Sequence, residues 1–117
     1  MVEVELTHDN TVRVHVLGGH RLLALRDEVT LEVGAITSVT RAEVDLRPPW
    51  IRTPGTFFPG AIAAGTFRGK GRKEFWDTNF KGHAIRIDLD GPGYTRLVVD
   101  VADPDAALAE LSSAVAA

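Results

Sequence analysis

A mainly β domain of about seven antiparallel strands, closed by one C-terminal α-helix, is the fold class this chain of 117 residues predicts. Three observations predict it. Apolar side chains fall at every second position in several short runs, glycines and prolines punctuate those runs, and the apolar spacing turns helical only after Asp103.

The elements follow in order. Val2, Val4 and Leu6 alternate with acidic residues, and after His8-Asp9-Asn10 the alternation resumes at Val12, Val14 and Val16, which predicts a hairpin with one wet face. Gly18-Gly19 ends it. The next segment, HRLLALR, holds helix formers without β-branching, so a single helical turn is expected at 20–26. Strand character returns over Val29 to Val33 and, after Gly34, over Ile36 to Val44. Arg47-Pro48-Pro49-Trp50 removes two backbone donors and fixes φ, so a loop is expected from there to about Pro59.

Ala61 to Arg68 and Arg72 to Asn79 then form two strand-length pieces joined by Gly69-Lys70-Gly71, a glycine-containing hairpin connection. Gly65, inside a strand, marks either a bulge or a place where an aromatic ring lies across the backbone. Phe75 and Trp76 are sequence neighbours, so in a strand their rings point to opposite faces. Ile85, Ile87 and Leu89 alternate with Arg86, Asp88 and Asp90, and Gly91-Pro92-Gly93 reverses the chain into Tyr94 to Val101, the clearest hairpin in the sequence. Asp88 and Asp90 are thereby expected on a wet face beside Arg86. Asp103 then stands at an N-cap position, with Pro104 at the first helical residue and Asp105 in the first turn. Leu108, Leu111 and Val115 form the apolar stripe of the final helix.

Composition narrows the function classes. One domain is expected at this length, with 44% hydrophobic and 25% charged residues. The absence of cysteine removes disulfides, thiolate nucleophiles and cysteine-ligated zinc together. No run approaches the roughly 20 apolar residues of a transmembrane helix, and MVEVELTHDN lacks the basic start and apolar core of a secretory signal, so a cytoplasmic protein is expected. The charge is uneven. Residues 1–40 carry three arginines against six carboxylates, residues 41–81 carry eight basic against four acidic residues, and the remainder carries two against six. The net charge of -3 argues against a dedicated nucleic-acid binder, while the basic middle third admits a local anionic partner.

That middle third contains TPGTFFPGAIAAGTFRGKGRKEFW, whose glycines invite comparison with phosphate-binding loops. Gly60 and Gly65 have the spacing of G-x-x-x-x-G-K, but Thr66 and Phe67 stand where Lys and then Ser or Thr are needed. Gly69-Lys70-Gly71 lacks the third glycine and the helix of a dinucleotide fingerprint. The glycines are turn residues. His8, His15, His20 and His83 show no metal-ligand spacing, and Ser38, Ser112 and Ser113 lie in no nucleophile elbow. No carboxylate pair stands out as acid and base. Neither catalytic residue, metal ligand nor cofactor is expected.

The stretches VTLEVGAITSVTRAEV, TPGTFFPGAIAAGTFRGKGRKEFW and YTRLVVDVADPDAALAEL, within residues 29–111, carry a resemblance. With R-x-P-G-T-x-x-P-G before G-T-F and F-W, the chain resembles the bacterial pleckstrin-homology-like (PH-like) domains of small proteins. The resemblance implies a PH-like barrel or sandwich used to bind peptides, partner proteins or copies of itself. Eukaryotic relatives bind phosphoinositides through basic residues on the first hairpin, where this chain has only Arg13 besides histidines, so that lipid site does not carry over.

Two functions are therefore expected in order. The first is a non-enzymatic binding or assembly module acting through a protein partner or self-association. The second is a peripheral binder of anionic lipid or another anion, through Arg68, Lys70, Arg72 and Lys73 at the hairpin, with Arg47 and Arg52 adjacent. Trp50, after two prolines, is either tucked over the sheet edge or offered to a partner. An enzyme with its site in the barrel mouth has no residue to support it.

Overall fold

The structure is a computed structural model that describes residues 2–7, 10–16, 28–43, 52–58, 62–69, 71–90 and 93–116, with the backbone alone at positions 16, 52–58, 62, 69 and 116. The predicted turn at 20–26 and the segment with Arg47 and Trp50 lie outside the described residues, as do His8 and Lys70.

The first hairpin forms as the alternation dictates. Strands β1 (Val2–Leu6) and β2 (Thr11–Val16) pair antiparallel with Val4 opposite Val14, and β3 (Glu28–Glu32) adds to β2 with Val14 opposite Val29. These three make a sheet in the order β1-β2-β3. A 3-10 turn, Val33–Ala35, then carries the chain to β4 (Ile36–Arg41) in a second sheet. Its other strands are β5 (Arg52–Phe58), β6 (Ile62–Gly69), β7 (Arg72–Thr78), β8 (Ala84–Leu89) and β9 (Arg96–Asp100). Their order is β4-β8-β9-β7-β6-β5.

Three expectations change here. The strands number nine among the described residues, because β5 forms where a loop was predicted. Pro54 is accommodated since β5 is an edge strand, paired only with β6, and its ladder slips between Arg52 and Gly55. The second change is one of direction: β9 pairs antiparallel with β8 but parallel with β7, so the sheet is mixed. Finally, strand pairing does not join the two sheets into a closed barrel among the described residues: the 3-10 turn carries the chain from β3 in one sheet to β4 in the other.

The two sheets pack face to face around the main core. Val12, Val14, Val29 and Leu31 from the first sheet meet Phe75, Ile85, Ile87, Leu97 and Val99 from the second. Helix α1 (Pro104–Ala116) closes this core with Leu111, fully buried, and with Ala107 and Leu108 partly buried. The Asp103 carboxylate accepts the Ala106 amide hydrogen at 3.1 Å, which is the predicted N-cap. Val115, expected on the same stripe, is 36% exposed: the helix ends beyond the reach of the sheet. On the opposite face of the large sheet, Ala63, Phe67, Trp76, Phe80, Ala84 and Val98 form a second buried cluster. Both faces of β7 are thus interior, and Phe75 and Trp76 point to opposite sides of it as predicted.

Gly65 is directly opposite Trp76 on β7 and opposite Gly55 on β5, with φ at +132°. A side chain there would be strained as well as placed beside the indole's strand position.

Candidate functional site

Three features of the described surface could carry function: a charged row across the large sheet, the basic hairpin, and the outer edge of β1, which pairs with no other described strand.

The row is built by register. Ser38 pairs with Asp88, Asp88 with Arg96 and Arg96 with Glu74, so four adjacent strands place these side chains in line on one face. Arg96 donates from Nε to Asp88 Oδ1 at 2.9 Å, and Ser38 donates its hydroxyl hydrogen to Asp88 Oδ2 at 3.0 Å. Arg86, next but one along β8, donates from Nε to the same carboxylate at 3.0 and 3.2 Å. Burial alone would raise the Asp88 pKa, but the hydrogen bonds from Arg96 and Ser38, with the charges of Arg86 and Arg96, outweigh it and lower the pKa from 3.8. Asp88 was expected on a wet face. It is half-buried instead, since flanking strands on both sides bring polar partners over it.

Glu74 ends the row in full burial. Its Oε1 accepts the Trp76 indole hydrogen at 2.9 Å, while Oε2 lies 3.5 Å from Arg72 and 3.9 Å from Arg96. Asp100, also buried, accepts from the Thr78 hydroxyl at 2.6 Å and from the Asn79 amide at 2.9 Å. Thr78 Oγ1 in turn accepts the Phe80 amide at 3.1 Å, which fixes the left-handed Phe80, φ +61°, at the end of β7. These carboxylates are structural anchors. Sequence reasoning missed Glu74, because a carboxylate at the polar end of a strand gives no sign that a parallel neighbour will set Arg96 beside it.

The basic hairpin is divided by the pleat. Arg68 and Lys73 are directly opposite each other, so they share one face, while Arg72 pairs with Gly69 on the other and joins Glu74. Lys73 Nζ lies 4.6 Å above the Tyr94 ring, and Tyr94 exchanges a hydrogen bond with the Thr66 hydroxyl at 3.0 Å. Thr95 adds to this clamp: its amide donates to the Lys73 carbonyl at 2.7 Å and its hydroxyl accepts from the Lys73 amide at 3.3 Å. The two hairpin tips are therefore bound together, and two of the predicted anion contacts, Arg72 and Lys73, already serve the fold. Arg68 is exposed, without an ion pair among the described residues. Arg52 lies on the edge strand β5.

The third feature is a groove of about 230 Å3 between β1 and the start of α1. Val2, Val4, Val101, Ala106 and Ala107 give it an apolar lining, and Glu3, Asp103 and Glu110 give it carboxylates. By contrast, a cavity of about 10 Å3 beside Trp76, Thr78 and Val98 has room for no more than a water. Among the described residues no three His, Asp or Glu side chains gather as metal ligands, and no helix is long and apolar enough to cross a membrane.

Compared with known proteins, the chain matches no family model, no curated protein and no solved structure.

Proposed function

We propose that this protein is a non-enzymatic binding or assembly module, working through main-chain pairing at a strand edge. The observation that carries this reading is the position of β1. It ends the strand order of its sheet, and its outer edge borders a groove rather than another described strand. An edge of this kind presents unpaired N–H and C=O groups that an extended segment can satisfy, with side-chain pockets supplying selectivity. The PH-like resemblance of the sequence supports the same role, as a scaffold for peptides, partner proteins or further copies. So does the use of Asp88, Glu74 and Asp100 as structural anchors, which leaves them committed to the fold.

Native mass spectrometry on untagged protein, with and without candidate partners, tests this reading. A discrete oligomer or a stoichiometric protein or peptide complex is the expected result. A monomer at all concentrations that carries a small metabolite would overturn it.

Anion binding at the hairpin is the second reading, favoured by the exposed Arg68 beside Lys73. Adsorption to anionic vesicles that weakens with salt and is lost on Arg68→Glu would support it.

A further inference from the structure

The edge of β1 is not chemically neutral, and its charge selects the occupant. Glu3 and Glu5 point away from the core, on the exposed face of the three-stranded sheet. Across that face Glu28 and Glu32 of β3 are also exposed, His15 stands between Glu5 at 3.3 Å and Glu28 at 3.4 Å, and exposed Arg13 lies directly opposite Glu5, so four carboxylates face one arginine. On the helix side of the groove, Asp103 and Glu110 continue the negative charge. Between these carboxylates the floor of the groove is apolar, with Ala106 and Ala107 of α1 opposite Val2 and Val4.

We infer that the β1 edge takes an extended segment of a partner protein in which basic side chains alternate with apolar ones. Pairing to β1 sends every second side chain of the incoming strand toward the groove and the others toward the exposed face. The first set meets Val4, Val101 and Ala107, and the second meets Glu3 and Glu5. An apolar residue therefore suits one set and lysine or arginine the other, since opposite charges across a strand pair attract and like charges repel.

The same rule disfavours a second copy at this edge. Were β1 to pair antiparallel with β1 of another molecule, every register that pairs three or more of its residues and keeps the valines on one face would bring glutamate against glutamate. Centred on Val4, for example, it sets Glu3 opposite Glu5. The acidic edge thus guards against self-pairing while leaving a basic partner welcome. This inference rests on the binding-module reading and narrows it to a partner.

The test uses the full chain, labelled for amide NMR and titrated with a blocked peptide alternating lysine and valine; its glutamate and valine counterpart is the control. Shifts confined to Val2–Leu6 and to the start of α1, weakened by salt, are the expected result. Reversing Glu3→Lys and Glu5→Lys together weakens binding by roughly tenfold, the scale of two cross-strand charge pairs turned from attraction to repulsion. Ala106→Leu, at an exposed helical position, fills the groove without touching the core and weakens binding without changing its salt dependence. Equal binding of the glutamate peptide, or shifts located elsewhere, overturns the inference. Shifts of the β1 amides with protein concentration alone overturn the partner's identity and leave the assembly reading standing. A monomer by mass spectrometry that binds neither peptide removes both.

Discussion

The Trp76 indole donates its N–H to the carboxylate of Glu74, two residues back on the same strand face, and both side chains are sealed from water. The bond gives the buried indole its required acceptor and gives Glu74 one of its counterweights, Arg72 and Arg96 providing the others.

Removing that carboxylate leaves the buried indole donor without its acceptor and takes one of two carboxylates from Arg96, which keeps Asp88. Glu74→Ala is expected to cost about 3 kcal/mol, as loss of one member of a buried pair does. Glu74→Gln keeps an acceptor for the indole and costs about 1 kcal/mol. Urea unfolding of the two variants checks the ranking.

Asp88 gives the fold an acid-sensitive component. Its folded pKa is lowered from 3.8, so its stabilisation is complete above that value and is lost as pH falls below it. Asp88→Asn is expected to destabilise the protein by about 1.5 kcal/mol at neutral pH, and the gap from wild type should close as pH falls below 3.8. Thermal melts across an acid series measure the convergence.

Glycines separate by backbone geometry. Gly65→Ala forces a side chain onto φ +132° in a paired strand and is expected to cost about 2 kcal/mol. Gly71→Ala, at φ +77° with open space around it, costs about 1 kcal/mol from conformation alone. Gly34 has open space and no positive φ, so Gly34→Ala should be neutral or stabilise by about 0.5 kcal/mol. Denaturation midpoints of the three variants should follow that order.

The final helix should show one-sided sensitivity. Leu111→Ala leaves a hole in the main core and is expected to cost about 3 kcal/mol, while Val115→Ala, at an exposed position, stays within about 0.5 kcal/mol. Equal losses at both positions would contradict the way α1 is docked.

Much of this fold was legible because short-range patterning reports local structure faithfully. The Val12-Val14-Val16 alternation, the Ile85-Ile87 alternation and the Asp103-Pro104 helix start each state their element within a few residues. What lies hidden is set by partners distant in sequence. Pro54 argues against a strand until an edge position makes room for it. Glu74 and Asp88 look like surface residues until Arg96 is placed between them by a parallel neighbour. Of the candidate site, the basic hairpin was visible as composition, but not its division between two faces, nor the engagement of Lys73 by Tyr94. The β1 groove was beyond reach, since residues about 100 positions apart form its two walls.

The place of β9 has a consequence for how the chain acquires its shape. Late in sequence, it lies between β8 and β7 and bonds to both. Until Arg96–Asp100 leaves the ribosome, the large sheet exists only as two separate pieces, each with an open hydrogen-bonding margin. The large sheet can therefore knit only once β9 has been made, because that one strand supplies the pairing on both sides of the join. During that interval the nascent chain exposes two sticky margins at once, a moment when chaperone protection would matter most.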